Sequence, residues 1–388
     1  MWKVHNKTKI PIYSWINPKN VELDAWKQVE NIANLPFAYH HVALMPDVHI
    51  GYGMPIGGIL ATVDYIVPNA VGVDIGCGVI AVSTNINFEE HKKELEKICH
   101  IIFNSIPLGF NKYKEAQDDP VFDKVPNVPT VKQEINNAKK QVGTLGGGNH
   151  FIDILVDEEG KTWVMIHSGS RNIGKKIADF YHHKAIEFSL KKFSSYPTNE
   201  LAALKVDSPD GKNYILAMKF AQEFAYANRH KMMKIVEKIF CDNFKSITFE
   251  EEINIHHNYA ELELHFGNEV WVHRKGATSA KLGQPGIIPG SMGTASYITE
   301  GLGNPDSFSS CSHGSGRVMG RREAKRQFTF HQMQKKLKER NIILFANKNT
   351  SAIEEDFRVY KDIEMIIDLQ KNLAKIKYKL IPKMVIIG

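Results

Sequence analysis

The sequence predicts a single α+β domain, and three observations carry that reading. Short apolar runs broken by glycine and proline fill residues 42–83 and recur from 251 to 320. Longer stretches with helical periodicity separate them, and neither a linker nor an internal repeat divides the 388 residues. Short strand-like runs and helical stretches within one undivided chain argue for one α+β unit.

In chain order, "VALM", "GGILATV" and "VGVDIGCGVIAV" read as successive strands joined by tight turns, with chemistry-bearing residues in the turns. A second strand pair is expected at "GTLGGGNHFIDILV" and "TWVMIHSGS", whose β-branched and aromatic runs end in glycine or serine. Helices follow at about 173–193 and 211–240. The second carries Leu216, Phe220 and Phe224 at intervals of four, a stripe that needs a core to lie on. A final helix is expected over about 354–378, before a terminal strand "KMVII". The polar, proline-bearing stretch 111–140 reads as a surface excursion and not as a domain boundary, because functional-looking turns lie on both sides of it.

Composition narrows the class. With 43% hydrophobic and 24% charged residues, the chain has the material for a sizeable core and lacks the bias of a disordered protein. The opening "MWKVHNKTKIPIYSW" has no continuous apolar stretch, and no segment approaches the roughly eighteen apolar residues of a membrane span. A cytoplasmic protein with no membrane partner is expected. Four scattered cysteines, Cys77, Cys99, Cys241 and Cys311, make no disulfide framework, so a special role for any of them is chemical. The net charge of +6 favours a polyanionic partner only weakly.

One motif fails on inspection. "GSRNIGKK" (169–176) matches the phosphate loop G-x-x-x-x-G-K-[ST] except at its last place, where Lys176 replaces the hydroxyl that ligates magnesium. Backbone amides at that helix start could still hold a phosphate. "GTLGGGNHF" is glycine-rich but lacks G-x-G-x-x-G spacing.

A different constellation carries more. Asp47, His49, Asp74, Cys77, His150, His167, His256 and His257 are read into the turns, and most of them follow or end an apolar strand. Singly, each is an ordinary hydrogen-bonded histidine, carboxylate or small thiol. Gathered at one face, a subset could hold two metal ions. Thiolate and imidazole with a carboxylate suit Mn2+ or Zn2+ better than Ca2+. Near the end, "SCSHGSGR" sets His313 among Ser312, Gly314 and Ser315, small residues that leave an imidazole open space.

Together with those residues, "MPDVHIGYGMPIGG", "VGVDIGCG", "GTLGGGNHF", "HSGSRNIG", "HHNY", "RKGATSA", "IPGSMGTASY" and "SCSHGSGR" follow the order seen in the RtcB family of RNA ligases. The chain resembles that family from about residue 40 to 325, and again at "YKDI" (360–363). The resemblance implies a compact domain of mixed and antiparallel sheets with flanking helices and an active site at strand-end loops. It implies a Mn2+- and GTP-dependent enzyme that joins RNA 3′-phosphate or 2′,3′-cyclic phosphate ends to 5′-hydroxyl ends, in tRNA splicing or RNA repair. By motif position, Asp74, Cys77 and His150 would hold one ion and Cys77, His167 and His257 the other. His313 would be the nucleophile that takes GMP. Asn149, Asp153, Asn258, Ser291, Gly314 and Tyr360 would line the nucleotide, and an accessory activating protein is a further partner the resemblance allows.

An imidazole that attacks an α-phosphate in line needs a free nitrogen and room, which splits a hard phosphoryl transfer into easier steps. Arg171, Arg274, Lys275, Arg317, Arg321, Arg322, Lys325 and Arg326 are candidates for RNA phosphates, Arg171 and Arg274 foremost because they sit within motifs. Two departures touch the nucleotide side. The family's terminal lysine is Ile387 here, which Lys383 could replace only through a shift in strand register, and its "NHFIE" reads "NHFID", placing Asp153 where a longer glutamate is usual. Two alternatives stay open: a dimetal hydrolase of RNA cyclic phosphates without guanylylation, and an RNA-end-binding subunit. An RNA binder needs neither Cys77 nor His313.

Overall fold

A computed structural model describes residues 1–4, 7–193, 196–346 and 349–388. Its framework is two large sheets. The smaller runs in the order Trp2–Val4, Ile12–Ser14, Ala38–His49, Ile56–Thr62, Asn268–Lys275, Asn258–His265, and all its pairs are antiparallel except Ile12–Ser14 with Ala38–His49. The larger runs Phe249–His256, Gly78–Asn87, Lys161–Ser168, Phe151–Val156, Ala374–Ile387, Ser296–Gly301, Pro285–Ile288. Ile343–Ala346 adds a parallel pairing to Ala374–Ile387.

Strand alternation dictates what each face meets. From the larger sheet, Ile80, Val82, Ile152, Ile154, Val164 and Ile166 pack against the helices Lys92–Ser105 and Pro209–Asn243 through Leu95, Ile98, Met232, Met233 and Val236. The opposite face carries Val79, Ala81, Trp163 and Met165 against Ile287, Ile298 and Leu380. Removing such an apolar side chain down to alanine costs about 2–5 kcal/mol.

The expected helices appear as Arg171–Lys192 and Pro209–Asn243. Ser208 caps the second by accepting from Gly211 N–H, with Pro209 at the first turn. Its buried stripe holds Phe220 and Phe224, but Leu216 points to solvent; Ala217 and Met218 take the core positions. The segment 111–140 includes the helix Pro129–Lys139, and Val121, Val128, Val131 and Ala138 anchor it to the core.

Three expectations need correction. The final helix over 354–378 shrinks to Ile363–Leu369, and the expected terminal strand "KMVII" is the end of a fourteen-residue strand, Ala374–Ile387. In "KIKYKLIPKMVII" the alternation of charged and apolar residues outweighs the helix-forming lysines. "VGVDIGC" is not strand; the helix Pro68–Val71 and a turn lead into Gly78–Asn87. Asp47 and His49 lie within the strand Ala38–His49, not in a turn.

Candidate active site

Register gathers the ligand candidates. Gly78 pairs across the larger sheet with both His256 and Ser168, and Phe151 pairs with His167. Cys77, His257, His167 and His150 therefore arrive at one end of four adjacent strands. Only glycine fits position 78, since a Cβ there would stand 1.9 Å from Ile255 O. At Asn258 the chain passes into the smaller sheet, pairing with Lys275, so the site sits where the two sheets meet.

The contacts form one continuous run. His150 Nε2 lies 3.2 Å from Asp74 Oδ2 and 3.5 Å from Cys77 Sγ; His167 Nε2 lies 3.3 Å from Cys77 Sγ and 3.3 Å from His257 Nε2. The donor atoms of Cys77, His150 and His167 fall within 4.8 Å of one another. His150 Nδ1 donates to Leu145 O at 2.9 Å and His167 Nδ1 to Asn149 O at 2.9 Å. Outward Nδ1 bonds to backbone carbonyls, with Nε2 turned inward, are how metal-bound histidines are held. Burial pushes His167 and His257 well below the ordinary imidazole range, so both stay neutral imidazoles. Burial and the adjacent Asp74 carboxylate push the Cys77 thiol well up. A cation is what would make it a thiolate. The donor set fits a borderline divalent metal.

Asp74 explains the failed phosphate loop. Its Oδ1 accepts from Ser170 N–H at 3.1 Å, so a carboxylate occupies the anion position at the start of Arg171–Lys192. Gly169 is what lets it in, because a Cβ there would meet the Asp74 carboxylate at 2.2 Å. No phosphate can share that helix end.

His313 follows the short strand Ser310–Ser312 and stands 4.9 Å, ring to ring, from His257. Asp47 holds it: His313 Nδ1 donates to Asp47 Oδ2 at 2.7 Å, and the backbone N–H groups of His313 and Gly314 donate to the same oxygen at 3.1 and 3.3 Å. Burial would raise the Asp47 carboxyl, but the His313 bond and charge hold it below the usual range. The second nitrogen of His313 is left for chemistry.

Beside His313 opens a cavity of about 550 Å³, lined among others by Asn149, Asp153, Ser291, Gly314, Tyr360 and Ile387. Asp153 is buried, its Oδ1 has no partner, and burial pushes its carboxyl well above the ordinary value. Ile387 is buried with Met292, Val385 and Phe357, so that wall is apolar. Lys383 lies over the Phe88 ring, at the strand bulge on the far side, and supplies no ammonium here. The Ser291 hydroxyl shares a hydrogen bond with Thr294. Asn258 is outside the cavity lining: its carbonyl oxygen accepts from Gly276 N–H and its amide donates to Asp74 O, so it braces the loops.

Several residues took roles the sequence did not disclose. Arg229 is fully buried; Nη1 donates to Gly76 O at 3.0 Å and Ser168 O at 2.9 Å, tying together the strand ends that carry Cys77 and His167. A lone cation on the apolar stripe of a helix was the available signal. Glu355, also buried, joins Arg317 at 2.9 Å, Arg321 at 3.0 Å and the Tyr360 hydroxyl. His256 is no ligand; its Nδ1 lies 2.9 Å from Gly76 O beside Arg229. His49 Nδ1 lies 3.0 Å from Asp47 O and borders the cavity.

The basic residues need correction too. Arg274 is fully buried in a two-pronged pair with Glu263, and Lys275 donates to Tyr52 O and Asn69 O in the interior, so neither reaches RNA. Arg171 is spent on Gly109 O and Thr144 Oγ1. Lys325 pairs with Glu354, while Arg322 and Arg326 lie exposed on the helix Arg321–Gln327.

Among the described residues, no helix is long and apolar enough to cross a membrane. The family described as "tRNA-splicing ligase RtcB" matches residues 28–128 and 122–388. The chain is 38% identical over 393 residues to "RNA-splicing ligase RtcB" of Escherichia coli K12, covering 95% of each. It is 33% identical over 477 residues to "tRNA-splicing ligase RtcB" of Nanoarchaeum equitans, covering 100% of this chain and 98% of that one.

Proposed function

Because this chain belongs to the RtcB family of RNA ligases, we propose that it joins RNA 3′-phosphate or 2′,3′-cyclic phosphate ends to 5′-hydroxyl ends, using GTP and Mn2+. The observation that carries the reading is the placement of His313: pinned by Asp47, next to His257, and open to the cavity.

In this reading Asp74, Cys77 and His150 would hold one ion and Cys77, His167 and His257 a second. Bound divalent ions would neutralise phosphate charge and lower the barrier to phosphoryl transfer. His313 Nε2 attacks the α-phosphorus of GTP; an N–P bond forms and pyrophosphate leaves. Asp47 keeps the Nδ1 proton in place and offsets the positive charge that develops on the ring. An oxygen of the RNA 3′-phosphate then displaces His313 from GMP, and attack by the 5′-hydroxyl on the activated end releases GMP. A cyclic phosphate is first opened by water. Asp153, Ser291 and Tyr360 line the space for the nucleoside, Asn149 and Gly314 the phosphate side.

The test is ligation of a 3′-phosphate RNA and, in parallel, of a 2′,3′-cyclic phosphate RNA to a 5′-hydroxyl RNA. Product is expected only with both GTP and a divalent ion. Opening of cyclic ends without nucleotide, with no joined product, would favour the hydrolase instead.

A further inference from the structure

Phe110 is the most exposed large apolar side chain among the described residues, at 102% of its free exposure. A single exposed apolar residue is ordinary on a protein surface. Its mounting is not. Leu145 N–H donates to Pro107 O at 3.0 Å, Gly109 N–H donates to Gly146 O at 2.8 Å, and the Arg171 guanidinium donates to Gly109 O at 2.8 Å. Asn111 N–H closes the turn onto Leu108 O at 3.1 Å. The backbone on both sides of Phe110 is therefore fixed while its ring stands in solvent.

The anchor is the loop that carries His150. Gly146 abuts that imidazole so closely that a Cβ on it would lie 2.4 Å from His150 Nδ1. In the stretch "GFNKYK" (109–114), exposed Lys112 and Lys114 follow Phe110. On the other side, the half-exposed Arg321 reaches Gly148 of the same glycine run. A bare aromatic ring followed by two exposed lysines, Lys112 donating to Asn137 Oδ1 at 2.7 Å, and tied through backbone bonds to the loop that carries His150, has the chemistry of a single-strand platform: bases stack on the ring and cations follow the backbone.

We infer that Phe110 is a stacking platform for an unpaired base of the RNA strand whose end lies at the active site, with Lys112 and Lys114 along its phosphates. The inference rests on the RNA-ligase reading for its ligand. Stacking of this kind tolerates any sequence, because every base has a π-face.

The experiment uses the full chain as wild type, Phe110→Ala and Phe110→Trp, with a single-stranded 3′-phosphate RNA carrying 2-aminopurine near its 3′ end. Wild type and Phe110→Trp are expected to quench the fluorescence; Phe110→Ala is expected to lose the quench and to bind about five- to a hundredfold more weakly by anisotropy. Labelling of the protein by α-labelled GTP without RNA is expected to be unchanged in Phe110→Ala. Replacing Lys112 and Lys114 by alanine is expected to flatten the salt dependence of RNA binding by about 0.7 for each phosphate no longer neutralised. Equal binding and quenching in Phe110→Ala would overturn the inference, as would a parallel loss of self-labelling, which would mark Phe110 as structural. Wild type that binds RNA without joining it would sink the ligase reading alone, and the Phe110→Ala comparison would still decide the platform.

Discussion

The Asp47 carboxylate takes three hydrogen bonds on one oxygen, and the shortest, 2.7 Å, comes from His313 Nδ1. With Asp47 fully buried in its strand, that bond fixes both the ring angle and the tautomer. Asp47→Asn keeps the shape and removes the charge. It is expected to slow formation of the His313 adduct by about 10²- to 10⁴-fold, read as the rate of label transfer from nucleotide to protein. An unchanged rate would reduce Asp47 to a structural brace.

Cys77 stands between His150 and His167, so its removal should strike both proposed ion sites together. Cys77→Ser is expected to lose bound metal on elemental analysis and to abolish ligation, whereas the exposed Cys241→Ala should change neither. Stoichiometric metal in Cys77→Ser would contradict the bridging position.

Asp153 sets stability against function. A buried carboxyl with an unpaired oxygen costs about 1–3 kcal/mol. Valine has a similar shape, suits a strand and needs no partner. Asp153→Val is expected to raise the denaturation midpoint while increasing the nucleotide concentration needed for half-maximal labelling. Unfolding curves and labelling titrations on the same preparation test both halves.

Burial lowers the Lys275 ammonium to about 7 in the folded chain. Between about pH 7 and its unfolded value near 10.4, the unfolded state binds the proton and the folded state does not, so this group makes stability rise with pH. Below pH 7 both states are charged and the contribution levels off at its least favourable. The difference in unfolding free energy between wild type and Lys275→Met, followed from pH 6 to 10, should therefore shift in favour of wild type as pH rises. A flat difference would mean the amine is not titrating in this window.

The convergence of Cys77, His150, His167 and His257 is legible in the chain because these residues stand next to strands. Cys77, His150, His167 and His257 each border an apolar run, and pairing register does the rest. Arg229 and Glu355 escaped notice because their roles depend on distant partners: Gly76 and Ser168 for one, Arg317 and Arg321 for the other. Arg274 misled for the same reason, since a motif arginine looks like a phosphate contact until Glu263 is seen across the strand pair. The end of the chain reads as strand, as found, but its first residues, 374–378, read as helix because their lysines suit either state and only the long pairing with Phe151–Val156 and Ser296–Gly301 decides.

The most direct test incubates wild type and His313→Ala with Mn2+ and α-labelled GTP, ATP, CTP or UTP in parallel, followed by a denaturing gel. Label from GTP on wild type, absent from His313→Ala, is the predicted result, and it would show that Ile387 in the cavity wall is tolerated. Label retained by His313→Ala, or no label from any nucleotide on wild type, would contradict His313 as the nucleophile.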